Sequence, residues 1–280
     1  MQKISPFLWF DNNAEEAVKF YTSIFKNSKI LNSSPGPDGK IMTMTLELDG
    51  YEFMAINAGP EFKFTPAISF YVWAGSVENV NKMWSQLIEG GQALMELGKY
   101  PFRERYGWLT DKFGVSWQIL NGEQEQKIVP SFLFTRERAG KAKEAIDIYT
   151  KLFDNSSVGH ITNYQPGGVD PETSIVYGEF KLAGQSFVAM DSALEHKFGF
   201  NEAVSLFIKC NDQGEVDKYW KGLIENGGKE SQCGWLKDKF GVSWQVVPNI
   251  LGELLGGSDP VKSGRVMAAM LKMSKIDIEG

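Results

Sequence analysis

The sequence predicts an α+β protein made of two tandem copies of one domain, each copy built from two βαβββ modules. The chain has 280 residues, about twice the length of a typical single domain. The segment from Gly107 to Ile119 recurs from Gly234 to Val246 with only two differences. A match of this length indicates an internal duplication, which decides the architecture before any local pattern does.

Other segments of the two halves match in the same order. They are Ala17 to Phe25 with Ala145 to Phe153, Phe53 to Asn57 with Phe187 to Asp191, and Val80 to Trp84 with Val216 to Trp220. We therefore predict a first domain over residues 1–121 and a second over residues 128–250, joined by a short polar segment. Residues 251–280 have no counterpart in the first copy, and Asp259 followed by Pro260 predicts a capped helix in this tail.

Hydrophobic periodicity assigns the elements of the first module. Pro6 to Phe10 is an apolar run typical of a buried strand, and Asn12 or Asn13 is expected to cap the helix that follows. Ile41 to Leu48 alternates as a strand does, and Asp49-Gly50 is a tight-turn signal before a returning strand. With a further strand near Ile30, the order is βαβββ.

The same order starts again in the second module. Ala67 to Trp73 is predicted to be a strand, Ser76 to cap a helix over Val77 to Ile88, and Gly107 to Leu120 to form a closing hairpin. Between the helix and this hairpin, the first copy has a segment, Gln92 to Tyr106, that is longer than its counterpart in the second copy. We interpret it as an inserted surface loop, with a lid over a pocket as the alternative.

Composition narrows the class of protein. The net charge of −6 argues against a nucleic-acid partner, since affinity for phosphate backbones comes from clustered Lys and Arg. No apolar stretch approaches the roughly 20 residues of a membrane span, and the first residues lack the apolar core of a signal peptide. We therefore expect a cytoplasmic protein with no membrane partner.

Residues that carry chemistry are few. Cys210 and Cys233 are the only cysteines, too few for a disulfide framework or a thiolate zinc site. His160 and His196 occur only in the second copy, so chemistry shared by both copies cannot depend on histidine. No serine, histidine and carboxylate set forms in both copies, and no carboxylate pair occupies matching inward positions. The sequence therefore offers no candidate catalytic residue, and we predict no cofactor.

Several sequence motifs resemble those of the PhnB-like branch of the vicinal oxygen chelate superfamily. This superfamily has the fold of glyoxalase, bleomycin-resistance proteins and extradiol dioxygenases. The motifs are Pro6 to Phe10, Ala14 to Tyr21, Asp111 to Gln118, and Gly234 to Pro248. The resemblance covers both copies and implies two tandem glyoxalase-like domains, each of paired βαβββ modules. The branch often carries the label 3-demethylubiquinone-9 3-methyltransferase domain. A methyltransferase of the common kind needs a glycine-rich turn between a strand and a helix, whereas the glycine-rich stretches around Gly36 and Gly167 are expected between a helix and a strand.

The resemblance also implies where a metal would bind. Enzymes of the superfamily hold a divalent ion with side chains from the first strand, from the strand that opens the second module and from the last strand. The corresponding residues here are Ser5 or Pro6, Ala67 and Gln118 in the first copy, and Pro130, Ala203 and Gln245 in the second. A carboxamide alone is a weak ligand, so we predict no metal. Gln118 and Gln245 instead offer an amide to a bound ligand or satisfy neighbouring backbone groups.

We predict a cup within each copy. The inward residues of the first copy are expected to be Ala67, Ser69, Tyr71 and Trp73, with Ser116 and Gln118 opposite and Leu8 and Phe10 at the side. Those of the second copy are expected to be Ala203, Ser205, Phe207 and Lys209, with Ser243, Gln245, Phe132 and Phe134. The candidate ligand-binding residues are Gln118, Ser69, Tyr71, Trp73, Gln245, Ser205 and Phe207. A small-residue floor with aromatic walls suits a planar apolar ligand, and a filled core is the alternative.

These features predict a metal-free small-molecule-binding protein of the glyoxalase and bleomycin-resistance type. One alternative is an enzyme acting on a small aromatic or quinone-like substrate, and another is a structural or partner-binding module with filled cups. Because single-copy relatives of this fold commonly pair as homodimers, we expect the two copies to form a covalent pseudodimer that leaves the chain monomeric.

Overall fold

The computed structural model describes residues 2–36, 38–256 and 259–279, and both copies have the predicted order of elements. The first copy contains β1 Ile4–Phe10, α1 Ala14–Ile24, β2 Lys29–Pro35, β3 Ile41–Leu48, β4 Tyr51–Asn57, β5 Ile68–Trp73, α2 Val77–Leu87, β6 Gln92–Tyr100, β7 Arg103–Thr110 and β8 Ser116–Leu120. The second contains β9 Ile128–Phe134, a 3-10 turn Arg136–Arg138, α3 Ala142–Leu152, β10 Ser157–Asn163, β11 Ile175–Leu182, β12 Gln185–Asp191, β13 Val204–Cys210, α4 Gln213–Ile224, β14 Lys229–Glu230, β15 Trp235–Lys237 and β16 Ser243–Pro248. The tail adds α5 Asn249–Leu255 and α6 Pro260–Met270.

The two copies exchange modules between two eight-stranded sheets. Sheet A has the strand order β14-β15-β16-β13-β1-β4-β3-β2, and sheet B has the order β10-β11-β12-β9-β5-β8-β7-β6. Within each sheet, the first module of one copy joins the second module of the other through an antiparallel strand pair, β1 with β13 and β9 with β5. This junction pairs a strand edge that each module would otherwise expose. Each cup is therefore shared between the copies, unlike the cup within one copy that we expected.

One hydrophobic core joins the inner faces of both sheets and the helices α1 to α4. Phe53 of sheet A packs against Phe70 of sheet B with ring centroids 5.1 Å apart, and Phe70 packs in turn against Trp117 at 5.3 Å. Each sheet has one face packed against this core. We call the other face, which points away from the core, the outer face. None of the described helices is long and apolar enough to cross a membrane.

Helix caps follow the sequence prediction in part. Ser76 accepts from the backbone N–H of Asn79 at the start of α2, and Asp259 caps α6, as predicted. The side chain of Asn13 makes no cap hydrogen bond, and the N–H of Ala14 donates instead to Asn57 Oδ1 at 2.8 Å. The prediction of a local cap was wrong here because the acceptor comes from the end of β4, which a local pattern cannot reveal.

Two predictions about connecting segments were wrong. Gln92 to Tyr106 forms β6 and the start of β7, an antiparallel pair, so the expected loop is a strand hairpin on the edge of sheet B. The glycine-rich stretches near Gly36 and Gly167 connect β2 to β3 and β10 to β11. They join strand to strand, and neither lies between a strand and a helix.

A close backbone approach at Gly91 gives a stability prediction. A Cβ atom at this position would lie 2.2 Å from the carbonyl oxygen of Thr110, which is fixed in β7. We expect Gly91→Ala to lower the free energy of unfolding by about 2 kcal/mol, measured by urea denaturation. Gly252→Ala in α5 is the control, because a Cβ there meets no described atom within 4 Å and should be neutral or slightly stabilising. Equal stability of the two variants would contradict the prediction.

Candidate functional site

The outer faces of the two sheets are the candidate binding surfaces. Cup A is the outer face of sheet A, which carries Ser5, Phe7, Phe207 and Gln245 on neighbouring strands. Cup B is the outer face of sheet B, which carries at corresponding positions Val129, Ser131, Tyr71 and Gln118.

The candidate ligand-binding residues divide between the two cups. Ser69, Tyr71, Trp73 and Gln118 of the first copy lie on cup B, and Ser205, Phe207 and Gln245 of the second copy lie on cup A. In each sheet, the strands that carry these residues are joined to the first module of the other copy.

The predicted side walls were wrong. The residues placed there, Leu8, Phe10, Phe132 and Phe134, are buried in the common core. In β1 the outer face instead carries Ser5, Phe7 and Trp9, because side chains alternate along a strand and the register was misplaced by one residue.

Cup B is filled by its own side chains. Tyr71, Tyr106, Leu120, Val129 and Val188 form a separate apolar cluster in which no side chain is more than 7% exposed. Tyr106 comes from the long hairpin of the first copy and Val188 from the second copy. A cavity of about 110 Å³ remains at the edge of this cluster, between Trp73 and Tyr177.

The amide of Gln118 and the indole of Trp108 in cup B are paired with neighbouring side chains, whereas the buried hydroxyl of Ser131 has no partner among the described residues. Gln118 donates through Nε2 to Ser69 Oγ at 2.8 Å and accepts through Oε1 from the hydroxyl of Tyr106. Burial raises the pKa of Tyr106, which keeps this hydroxyl protonated as a donor. Trp108 donates through Nε1 to Ser116 Oγ at 2.8 Å. The amide of Gln118 is thus satisfied within the protein.

Cup A keeps only one of these hydrogen bonds. Gln245 donates through Nε2 to Ser205 Oγ at 2.9 Å, as Gln118 does to Ser69. Within the described part of the chain, however, no hydrogen bond reaches Gln245 Oε1, Trp235 Nε1 or Ser243 Oγ, and the last of these is fully buried. The difference arises because the second copy has the short hairpin.

One substitution and one change of side-chain placement in the short hairpin account for this difference. Cys233 precedes Gly234 where Tyr106 precedes Gly107, so the second copy has no hydroxyl to reach the glutamine. Trp235 lies opposite Gln245 in the strand register, as Trp108 lies opposite Gln118, but its Nε1 does not reach the neighbouring serine.

Aromatic side chains line cup A and remain partly open to solvent. The rings of Phe7 and Phe207 are stacked with centroids 6.2 Å apart, and Trp235 meets Phe7 edge-on at 5.7 Å. Trp9 packs edge-on against Trp235 at 6.2 Å. Phe207 and Trp9 are half-buried, whereas their counterparts in cup B, Tyr71 and Leu133, are buried. Trp235 is half-buried, as is its counterpart Trp108.

An ion pair lies on the floor of cup A. The ammonium of Lys209 contacts Glu52 Oε1 at 2.6 Å and donates to Oε2 at 2.8 Å, and the hydroxyl of Ser5 donates to Oε1 at 2.8 Å. Sequence analysis identified Lys209 as an inward residue but missed Glu52. Its signal was an acidic residue on a strand whose same-face neighbours, Met54 and Ile56, are apolar.

The donors of neither cup fit a divalent metal. In cup B, Gln118, Ser69, Ser131 and Ser186 contain no anionic or imidazole ligand, and the one carboxylate that lines the cavity, Glu179, accepts from the hydroxyl of Tyr177. In cup A, Glu52 already accepts from Lys209 and Ser5. Two other carboxylates on this face, Glu47 and Glu202, are paired with Lys29 and Lys237. Among the described residues, no three His, Cys, Asp or Glu side chains are grouped so that they could hold a metal ion.

The repeated segment, Gly107 to Ile119 and Gly234 to Val246, holds the strands of the cups in place through a buried aspartate. Asp238 accepts from Phe240 N and Val242 N through Oδ1, and from the hydroxyl of Tyr149 and the indole N–H of Trp244 through Oδ2. Asp111 makes the four equivalent contacts in the first copy. Tyr149 belongs to α3 of the opposite module, so the aspartate fixes the turn before β16 and ties the two sheets together.

A family model described as 3-demethylubiquinone-9 3-methyltransferase matches residues 2–120 and again residues 126–247. The chain belongs to this family. It carries two copies of the family domain in tandem and is a duplicated member of the vicinal oxygen chelate superfamily. The paired aspartate turns and the two exchanged sheets are therefore features of a duplicated PhnB-like protein.

Known relatives cover either one copy or the whole fold. An uncharacterized protein of Mycobacterium tuberculosis is 27% identical over 126 residues, 41% of this chain and 72% of its own length. The PhnB protein of Bacillus cereus is 42% identical and matches 43% of this chain and all of its own, with a TM-score of 0.42. Glyoxalase I from Zea mays is 13% identical, covers 87% of this PhnB-like chain and 90% of its own, and has a TM-score of 0.61. The last likeness shows that the paired-module fold is the same.

Proposed function

We propose that this chain is a metal-free small-molecule-binding protein in which cup A receives the ligand and cup B is a structural counterpart filled by the protein itself. The proposal concerns one cup of two, because duplication allows one copy of a site to change while the other is kept. Sequestration or sensing of the ligand would be its use.

The observation that supports this proposal most directly is the unequal pairing of matched polar atoms. Gln118 Oε1 and Trp108 Nε1 have partners in cup B, whereas Gln245 Oε1 and Trp235 Nε1 have none among the described residues of cup A. Gln245 is only 4% exposed. Gln245 Oε1 is not among the fully buried unpaired atoms of the described residues, so solvent reaches it, and a donor on a ligand can replace water there.

The open aromatic surface supports the same assignment. A flat ligand that covers Phe207 and Trp235 removes apolar surface from water, while the paired amide fixes its orientation. Cup B offers no such gain because its equivalent surface is already covered by Tyr106 and Val188.

Binding of two named probes tests the assignment to cup A. We expect 2-naphthol to bind the wild-type chain in isothermal titration calorimetry, and its anionic counterpart 2-naphthoate to bind more weakly. Gln245→Leu should lower the affinity for 2-naphthol about tenfold, which corresponds to roughly 1.4 kcal/mol of binding free energy. Gln118→Leu is the matched control in cup B and should leave the affinity unchanged. Loss of binding in the Gln118 variant alone would place the ligand in cup B and contradict the proposal.

Two further outcomes separate the alternative functions. Mass spectrometry can detect whether a bound phenol is converted in the presence of S-adenosylmethionine, and such conversion would favour an enzyme. We expect no conversion, because the carboxylate of Glu52, the nearby candidate for a general base, is held by Lys209 and Ser5. Absence of binding and of any thermal shift with either probe would favour a structural or partner-binding module.

A further inference from the structure

The polar groups of cup A lie along one row that crosses four neighbouring strands. Gln245 on β16 lies beside Phe207 on β13, Phe207 beside Ser5 on β1, and the hydroxyl of Ser5 donates to Glu52 on β4. Neighbouring strands are about 4.8 Å apart, so the row from Gln245 to Glu52 spans roughly 14 Å. A ligand that lies along this row would meet the amide of Gln245 at one end and the ion pair of Glu52 at the other, and it would cover the ring of Phe207 between them.

The ion pair leaves this row without net charge. Lys209 and Glu52 are within 2.6 Å of each other, and their side chains are 17% and 19% exposed. Two further cations on this face are also paired, Lys237 with Glu202 at 2.6 Å and Lys29 with Glu47 at 3.7 Å. A charged ligand would enter a partly desolvated site in which each cation already has its anion, and it would lose hydration without gaining a counter-charge.

The two unpaired side-chain atoms at the amide end define complementary groups. Gln245 Oε1 is an acceptor and requires a donor from the ligand, whereas Trp235 Nε1 is a donor and requires an acceptor. Trp235 and Gln245 are paired in register on adjacent strands, so their side chains lie side by side on the same face. The ligand must therefore carry its donor and its acceptor next to each other.

Resting on the proposed function, we infer that cup A selects an uncharged, planar aromatic compound whose edge presents a hydrogen-bond donor beside an acceptor, as in a cyclic amide fused to an aromatic ring. The donor meets Gln245 Oε1, the acceptor meets Trp235 Nε1, and the ring covers Phe207. The Lys209 and Glu52 pair excludes anions by keeping the ammonium of Lys209 occupied.

Comparison of the cups supports a dedicated role for the pair. In cup B the position of Lys209 is taken by Trp73 and that of Glu52 by Ser186, which lines the same cavity as Val129. The ion pair and the unpaired amide oxygen thus occur together in the cup that is open, and both are missing from the cup that is filled.

The first test compares three probes on the wild-type chain by calorimetry: 2-quinolinone, 1-methyl-2-quinolinone and 2-naphthoate. The first presents an N–H beside a carbonyl, the second has lost the donor, and the third is an anion of similar size. We expect 2-quinolinone to bind at least tenfold more tightly than either of the others. Equal or tighter binding of 2-naphthoate would overturn the inference while leaving cup A as a ligand site. Binding of none of the three would overturn the inference and the proposed function together.

The second test changes the charge of the row. Glu52→Gln frees the Lys209 ammonium, and we expect the affinity for 2-naphthoate to rise about tenfold while that for 2-quinolinone changes less than twofold. The double variant Glu52→Gln with Lys209→Met removes both charges and should restore the wild-type preference for the neutral probe. Unchanged affinity for 2-naphthoate in a folded Glu52→Gln protein would overturn the assigned role of the pair. If that variant does not fold, the double variant and the wild-type comparison still decide the inference.

Discussion

Replacing Asp238 with alanine is expected to lower the free energy of unfolding by about 4 kcal/mol. The change leaves four buried donors without an acceptor, namely two backbone N–H groups, the hydroxyl of Tyr149 and the indole N–H of Trp244. Each orphaned donor costs about 1–3 kcal/mol. Relief from burying a carboxylate offsets part of the sum, which is why the expected loss lies near the lower end. Urea denaturation followed by tryptophan fluorescence measures it.

Graded and control variants separate the buried contacts from a general effect of removing a charge. Tyr149→Phe removes one of the four donors and should cost about 1 kcal/mol. Asp154→Ala removes an exposed aspartate whose partner is Lys218, and such surface pairs contribute less than about 1 kcal/mol. Asp111→Ala should behave as Asp238→Ala does, since its contacts are the same. If Asp238→Ala costs no more than Asp154→Ala, the turn does not depend on this carboxylate.

This turn also shows what the sequence could predict. The recurrence of Asp111 to Gln118 around Asp238 identified the duplication and the superfamily, because a motif with four side-chain and backbone contacts tolerates few changes. The alternation of Ile41 to Leu48 and the cap at Ser76 were likewise readable, since both depend on neighbours within a few residues. The prediction of the α+β fold with paired βαβββ modules was confirmed.

Exchange of modules between the sheets was beyond the reach of local patterns. The pairing of β1 with β13 joins residues about 200 positions apart, such as Ser5 with Phe207. No periodicity distinguishes this partner from β5, which has the same alternation and the same place in its module. Leu8 and Phe10 were assigned to the wrong face for a related reason: an apolar strand between a core and an aromatic cup has no polar side to fix its register.

The inequality of the two cups was equally hidden. Gln118 and Gln245 stand at identical places in the repeated segment, and their difference depends on Tyr106, which lies on the hairpin that we interpreted as a loop. Glu52 was missed because its partner Lys209 is distant in sequence and belongs to the other copy. The residues that distinguish the two cups thus come from the parts of the repeat that have diverged.

Lowering the pH from 7 to about 4.5 is expected to stabilise the fold by about 2 kcal/mol through Asp238. Burial raises the pKa of this carboxyl from 3.8 to about 6, although hydrogen bonds from Tyr149 and Trp244 oppose the shift. Since the pKa is higher in the folded state than in the unfolded state, the folded state binds the proton more tightly. The resulting stability is complete below about pH 4 and is lost as the pH rises through about 6. A shift of two units corresponds to about 3 kcal/mol in full.

Comparison with Asp238→Asn isolates this contribution from other titrating groups. Lysine partners lower the pKa of Glu144 and of Asp217, so these carboxyls change stability in the opposite direction in both proteins. The asparagine variant retains an oxygen for the two backbone donors but has no titrating group at this position. Its deficit relative to the wild type should therefore grow by about 2 kcal/mol between pH 7 and pH 4.5 in urea denaturation. A constant deficit would mean that Asp238 is ionised throughout this range and that its four hydrogen bonds fully offset its burial.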